Sequence, residues 1–178
     1  MDKIVNTRLI GRPAALCFTV AVWLEAGSRC GGDVSSLCER AGQPDAEGVE
    51  LAAWLLSRLA AAGERRRTQR GYPARPVPEP WELRAFLHTK PGRAAYRAAV
   101  EAFVIGVEAQ DTQKKPRDLG LEALRKNAAS GAVTRAQIIR LGHVRLGWST
   151  QETLDATPGE LVEALGLNLE EIKPNWPV

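Results

Sequence analysis

Residues able to carry acid–base, nucleophilic or metal chemistry are few and scattered in this chain. Among 178 residues there are two histidines, His88 and His143, and three cysteines, Cys17, Cys30 and Cys38. Neither histidine stands beside a Cys, Ser or carboxylate at a spacing that forms a nucleophile–base pair. His88 falls near a predicted helix end, where a cation is favoured. His143 follows Gly142 in a basic stretch with Arg135, Arg140 and Arg145, which reads as a solvated face. The cysteines show no CxxC and no neighbouring histidine, so the spacing of a zinc site is absent. Their odd number argues against a closed disulfide framework and for reduced thiols in a cytosolic protein. Glu39, Glu47 and Glu50 do not form a metal-binding set, and the adjacent Glu170 and Glu171 point to different faces of any helix. There is no Walker phosphate loop and no serine-centred nucleophile elbow. The residues offer no catalytic, cofactor-binding or metal-binding set, and a non-enzyme is expected.

The remaining charged feature is the run Glu64 to Arg70, in which Arg65, Arg66, Arg67 and Arg70 cluster and Arg75 follows. Such a run is either the solvated end of a helix or a nucleic-acid contact, and only Tyr72 supplies a nearby aromatic. The net charge of +3 is too small to decide for nucleic acid. Arg outnumbers Lys by 18 to 6, but an Ala-, Gly- and Arg-rich composition points to a GC-rich gene, which favours Arg irrespective of function. Apolar residues at 44% and charged residues at 25% fit a folded chain of one or two small domains. The longest apolar run, Ala14 to Ala26, follows Lys3, Arg8 and Arg12 in the manner of a secretion signal. It contains Glu25, is too short to span a membrane, and precedes no small-residue cleavage site with a disulfide-rich chain behind it.

The elements that must hold these residues read as all-α. Residues 1–12 read as a loose leader, and Pro13 as the first-turn residue of a helix carrying Ala14, Leu16, Phe18, Val20, Val22, Trp23 and Leu24 to Gly27. Gly31-Gly32 forms a turn, and Asp33 caps a short helix through Arg40. Asp45 opens the strongest helix, with Val49, Ala52, Ala53, Leu56, Leu59 and Ala60 at helical spacing and the arginines at its cationic end. Four prolines between Gly71 and Pro80 predict an extended linker. A short helix from Trp81 to His88 follows, then one from about Arg93 whose Tyr96, Val100, Phe103, Val104 and Val107 form an apolar stripe. The polar stretch 111–118 predicts a boundary between an N-terminal helical domain, 1–110, and a compact C-terminal domain, 119–178. Within the second, Leu119 to Asn127 is followed by a break at Ser130-Gly131. Thr134 opens a helix with Ile138, Ile139, Leu141 and Val144 that ends at Gly147. Ser149–Glu152 and Thr157–Glu160 are two capping boxes in succession, each opening a short helix, the second ending at Gly166. No segment alternates as a half-buried strand must, although residues 6–10 offer a weak pairing signal.

The segment Leu146-Gly147-Trp148-Ser149-Thr150-Gln151-Glu152, with Thr157-Pro158-Gly159-Glu160-Leu161 after it, resembles the C-terminal motif of small phage tail assembly chaperones. In that family Leu-Gly-(Trp or Leu)-Ser-Pro-x-Glu-Phe precedes Leu-Thr-Pro-x-Glu-Leu. Here Thr150 stands at the common proline, Thr153 at the common aromatic and Ala156 at the common leucine. The resemblance covers about twenty residues. It implies a cytoplasmic, non-catalytic protein without cofactors that binds the tape-measure protein and assists recruitment of tail-tube subunits. The family often fuses a second helical domain through a ribosomal slip. Lys114-Lys115, the one Lys-Lys pair in the chain, lies in the polar joint where such a slip would fall.

A binding protein of this kind needs exposed apolar anchors, and Trp is enriched among them. The candidates are Trp54, Trp81, Phe86, Trp148 and Trp176. Two other readings remain open: a nucleic-acid-binding regulator using Arg65, Arg66, Arg67, Arg70 and Arg75, and a structural adaptor in the virion. A DNA-reading role for the last helix is disfavoured because Glu160 and Glu163 would face phosphates.

Overall fold

The computed structural model describes residues 3–30, 34–108, 134–167 and Ile172. The chain is mainly helical, with one antiparallel hairpin at its start. Strands β1 (Val5–Leu9) and β2 (Arg12–Leu16) precede α1 (Val20–Cys30), α2 (Val34–Ala41), α3 (Ala46–Gln69), α4 (Pro80–Leu87) and α5 (Lys90–Val107). Then come α6 (Arg135–Leu141), a π-helical turn (Gly142–Leu146), α7 (Thr150–Asp155) and α8 (Pro158–Leu165). The predicted linker 111–118 with Lys114-Lys115, the segment 119–127, the Ser130-Gly131 break, the Gly31-Gly32 turn and Asp33 lie outside the described residues. No helix among the described residues is long and apolar enough to cross a membrane.

The hairpin replaces the expected leader. Val5 pairs with Leu16 and Leu9 with Arg12, joined by the two-residue turn Ile10-Gly11. Both turn residues have positive φ, 50° for Ile10 and 75° for Gly11, the backbone of a type I′ turn. A branched Ile in that region is strained, and with Ile in place of Asn the sequence carries no Asn-Gly signal there. Pro13 sits opposite Arg8. In a two-residue hairpin that pair exchanges no hydrogen bonds, so the missing N–H of Pro13 is not needed by β1. Helix α1 therefore starts at Val20, with Val22 N donating to Thr19 Oγ1, and Ala14 to Leu16 belong to β2. Relieving the turn should stabilise the fold. Ile10→Asn is expected to gain about 1 kcal/mol in urea unfolding, because Asn tolerates the left-handed region. An unchanged or lower midpoint would count against the strain.

Lys3, read as leader, is 7% exposed and donates its ammonium to the carbonyls of Ile105 and Glu108. It satisfies the last carbonyls of α5, where a cation is favoured. Strand β2 lies along α3, and Cys17 N donates to Leu59 O at 3.0 Å, so hairpin and helix are joined through backbone as well as side chains.

Helix α3 is the axis of the molecule. Asp45 caps it as predicted, accepting from Gly48 N at 2.7 Å, and Ala52, Ala53, Leu56, Leu59 and Ala60 are all buried. Gly71 to Glu79 carries no regular element, and Pro80 opens α4. Helix α5 begins at Lys90, earlier than expected, because Thr89 caps it and Pro91 fits its first turn. Its buried face is the small-residue line Gly92, Ala95, Ala99, Ala102 and Gly106, which lets neighbouring backbone approach closely. The larger Tyr96, Val100, Phe103 and Val107 are half-buried beside it, and Val104 is exposed. Phe103 meets Phe18 edge-on at 5.0 Å.

The C-terminal helices follow the predicted capping order. Thr134 with Gln137, Ser149 with Glu152, and Thr157 with Glu160 each form reciprocal capping boxes, and Gly147 and Gly166 end their helices with φ of 68° and 66°. Ile138, Leu161, Val162 and Ile172 join the same buried cluster as Leu16, Phe18 and Leu56. Val20 N donates to Ala156 O at 2.7 Å, tying α1 to the end of α7.

Candidate functional site

The end of α3 and the tandem capped helices meet along an open cleft of about 650 Å3. One wall is Arg66 and Gln69. The other is built from Trp148, Glu152, Asp155, Ala156, Glu160, Glu163 and Ala164. Trp148, Glu152, Ala156 and Glu160 recur every four residues through the two capping boxes, so the segment that carries the sequence motif is also the segment that forms the cleft. The π turn and left-handed Gly147 set the position of Trp148: its N–H donates to Gly142 O at 3.1 Å, and the His143 ring nitrogen Nδ1 lies 3.3 Å from its carbonyl oxygen. Trp148 is half-buried.

The arginine run holds this wall in place. Arg65 Nε lies 3.3 Å from Asp155 Oδ1, and Asp155 Oδ2 accepts from Gln69 at 2.8 Å and Gln151 at 2.7 Å. Arg66 donates to Glu160 Oε1 at 2.6 Å and to Cys17 Sγ at 3.5 Å, while Glu160 Oε2 accepts from Thr157 N at 2.7 Å. Arg67 pairs with Glu64 at 3.0 Å and lies over the Tyr72 ring. The expected solvated helix end is thus in part a clamp: Arg65 and Arg66 face carboxylates of α7 and α8, Arg67 faces Glu64 of α3 itself, and Arg65 keeps a 46% exposed side chain. Arg70 is exposed and Arg75 half-buried.

Electrostatics follow from these bonds. Burial pushes the Glu160 carboxyl up, but the hydrogen bond from Arg66 and the Thr157 N–H outweigh it and hold the carboxyl below its ordinary value. The Ser149 N–H lowers Glu152 in the same way. Asp155 and Glu160 are matched by Arg65 and Arg66, whereas Glu152 and Glu163 make no ion pair among the described residues. The cleft therefore presents an indole, two alanine methyls and a net negative rim. It contains no histidine, cysteine or serine among its lining residues. The groups it offers recognise; they do not form a nucleophile–base pair.

The other predicted anchors are dispersed. Trp54 is buried at 7% exposure with Arg29 stacked 4.9 Å from its ring, so it belongs to the core and not to a free surface. Phe86 is half-buried and packed on the core cluster. Trp81, on α4, is 68% exposed. Trp176 lies outside the described residues. The departures from the family pattern have local reasons. Thr153 is fully buried, and Gly142 packs so closely on its side chain that even an added Cβ would meet Thr153 Cγ2 at 2.8 Å, so an aromatic has no room there. Ala156 is the floor of the cleft, and a leucine there would fill part of it. The Asp155–Arg65 pair was not legible from spacing, because its two members stand 90 residues apart in sequence.

No family model matches this sequence, and no curated protein or solved structure is significantly similar to it.

Proposed function

We propose that this protein is a non-catalytic assembly chaperone of a tailed phage or prophage, and that the Trp148 cleft receives an amphipathic helical segment of the tape-measure protein. The observation that carries the reading is the coincidence of motif and cleft: Trp148, Glu152 and Glu160 are residues of the resemblance, and they line one groove. Such a groove suits a helix presenting an apolar residue to the indole and a Lys or Arg to the unpaired Glu152 and Glu163. Holding a long helical protein by its apolar face keeps that face from self-association, and recruitment of tail-tube subunits follows in this reading. Arg65, Arg66 and Arg67 already face carboxylates, which weighs against the nucleic-acid alternative.

The test is co-expression with a tape-measure protein from the same phage or prophage genome. Co-purification and a gain in that protein's soluble fraction are expected. Trp148→Ala, and separately the pair Glu152→Lys and Glu163→Lys, should each weaken binding by about tenfold or more, since anchors and charge partners of that kind dominate small interfaces. No co-purification, or equal binding by these variants, would overturn the proposal.

A further inference from the structure

A second cavity, away from the Trp148 cleft, has the opposite character. It encloses about 420 Å3 where the end of α2, the start of α3 and the α4–α5 turn meet. Its floor is apolar, from Val49, Ala52 and Leu87, with Tyr96 at the side. Its rim holds Lys90, Arg93 and Arg97, with His88 at the turn, and no carboxylate lines it. Three acidic residues of the adjoining α3 N-terminus are occupied elsewhere, while Glu39 and Glu101, also near in sequence, do not line the cavity. Asp45 and Glu47 pair with Arg40, and Glu50 pairs with Arg84. Lys90, Arg93 and Arg97 make no ion pair among the described residues, and the one side-chain bond recorded for them is a long one of 3.5 Å from Arg93 to the His88 carbonyl. Three like charges within two turns of one helix repel each other by a few tenths of a kcal/mol per pair, a cost that a bound anion removes. The backbone of the α5 N-terminus contributes little: Gly92 N is already bonded to Thr89 Oγ1, and Pro91 has no N–H. The Tyr96 phenol donates to the Cys38 carbonyl and is pushed up to about 12 by burial, with Cys38 adding to it, so it stays neutral beside the cations.

We propose that this cavity binds an organic phosphate, with the phosphate group held by Lys90, Arg93 and Arg97 and an apolar or planar body seated on Val49, Ala52 and Leu87. Three cations match a phosphate or diphosphate better than a single carboxylate, and two guanidiniums offer the paired donors that phosphate oxygens accept. The volume lies in the range of small-molecule sites. The site is independent of the tape-measure reading.

Isothermal titration of the intact chain at low salt tests it, with adenosine diphosphate, inorganic pyrophosphate and citrate as probes. Adenosine diphosphate and pyrophosphate should both saturate. Adenosine diphosphate should bind at least about fivefold tighter, because only it reaches the apolar floor. Arg93→Ala and Arg97→Ala should each weaken both by about tenfold, and Arg8→Ala, on the hairpin, should leave them unchanged. Absence of saturation by either phosphate would overturn the site. Citrate binding as tightly as pyrophosphate would overturn the phosphate assignment, and equal affinity for the two phosphates would overturn the apolar half. An Arg8→Ala loss matching that of Arg93→Ala would reduce the effect to general charge.

Discussion

Replacing Gly63 by alanine is expected to destabilise the protein by about 3 kcal/mol and lower its thermal midpoint by roughly 6–12 °C. Helix propensity alone points the other way, since alanine in a helix interior is favoured over glycine by about 1 kcal/mol. The structure reverses the sign. Gly63 lies on the face of α3 against β2, and an added Cβ would fall on the Ala15 carbonyl, 2.5 Å from its carbon and 3.1 Å from Leu16 N. These neighbours are backbone atoms, so no rotamer change makes room. Strand and helix must separate, and the Cys17 N to Leu59 O bond one turn away must lengthen or break. Leu9, Leu16 and Phe18, each at most 1% exposed, would lose packing as the gap opens. Ala61→Gly, two positions earlier, supplies the propensity reference and should cost about 1 kcal/mol. If Gly63→Ala raises the midpoint, the close approach of β2 to α3 is wrong, and with it the placement of the hairpin.

That hairpin also marks where local sequence stops being informative. Caps were legible because their chemistry is contained in four residues: Asp45, Thr134, Ser149 and Thr157 each accept from the backbone three residues on. The hairpin was not, because its turn is Ile10-Gly11 and because Ala14, Ala15 and Leu16 are all buried, which erases the alternation that announces a strand. A proline in β2 then reads as a helix start. The α5 stripe was placed on the large residues, whereas the backbone–backbone approach made the small ones the buried face. The cleft was half legible. Its motif wall could be read from the two capping boxes, but its other wall required knowing that α3 ends against α7 and α8. The basic cavity was invisible in the same way: Lys90, Arg93 and Arg97 make no run in sequence, and only the helical period brings them to one rim.

Arg66→Ala provides the second large effect, and its pH dependence identifies the cause. Arg66 is 14% exposed and Glu160 30% exposed, so the variant leaves a half-buried carboxylate with the Thr157 N–H but without its cation. Removing one member of a fully buried pair costs about 3–5 kcal/mol and of an exposed one under about 1, so for this half-buried pair a loss of about 2 kcal/mol is expected near neutral pH, chiefly through the charge left behind. In the native protein the Glu160 carboxyl is held below its ordinary value of 4.5. A depressed carboxyl contributes stability that is present above the unfolded value and is lost as pH falls through the folded one. In the variant the guanidinium no longer opposes burial, so Glu160 protonates at a higher pH. The native protein must then lose stability faster than the variant on acidification, and the deficit must narrow as pH falls below about 4.5. Urea midpoints taken between neutral pH and pH 3 read this directly. Arg66→Lys should recover part of the loss, since it restores charge without the paired donors. A deficit that stays constant with pH would place the cost in lost packing against Cys17 instead. No deficit at all would free the arginine run from the fold and return it to the solvent, where it could meet phosphates. A deficit of the expected size and slope makes the run a clamp that holds the motif-bearing helices against α3, so a partner helix meets a cleft already formed.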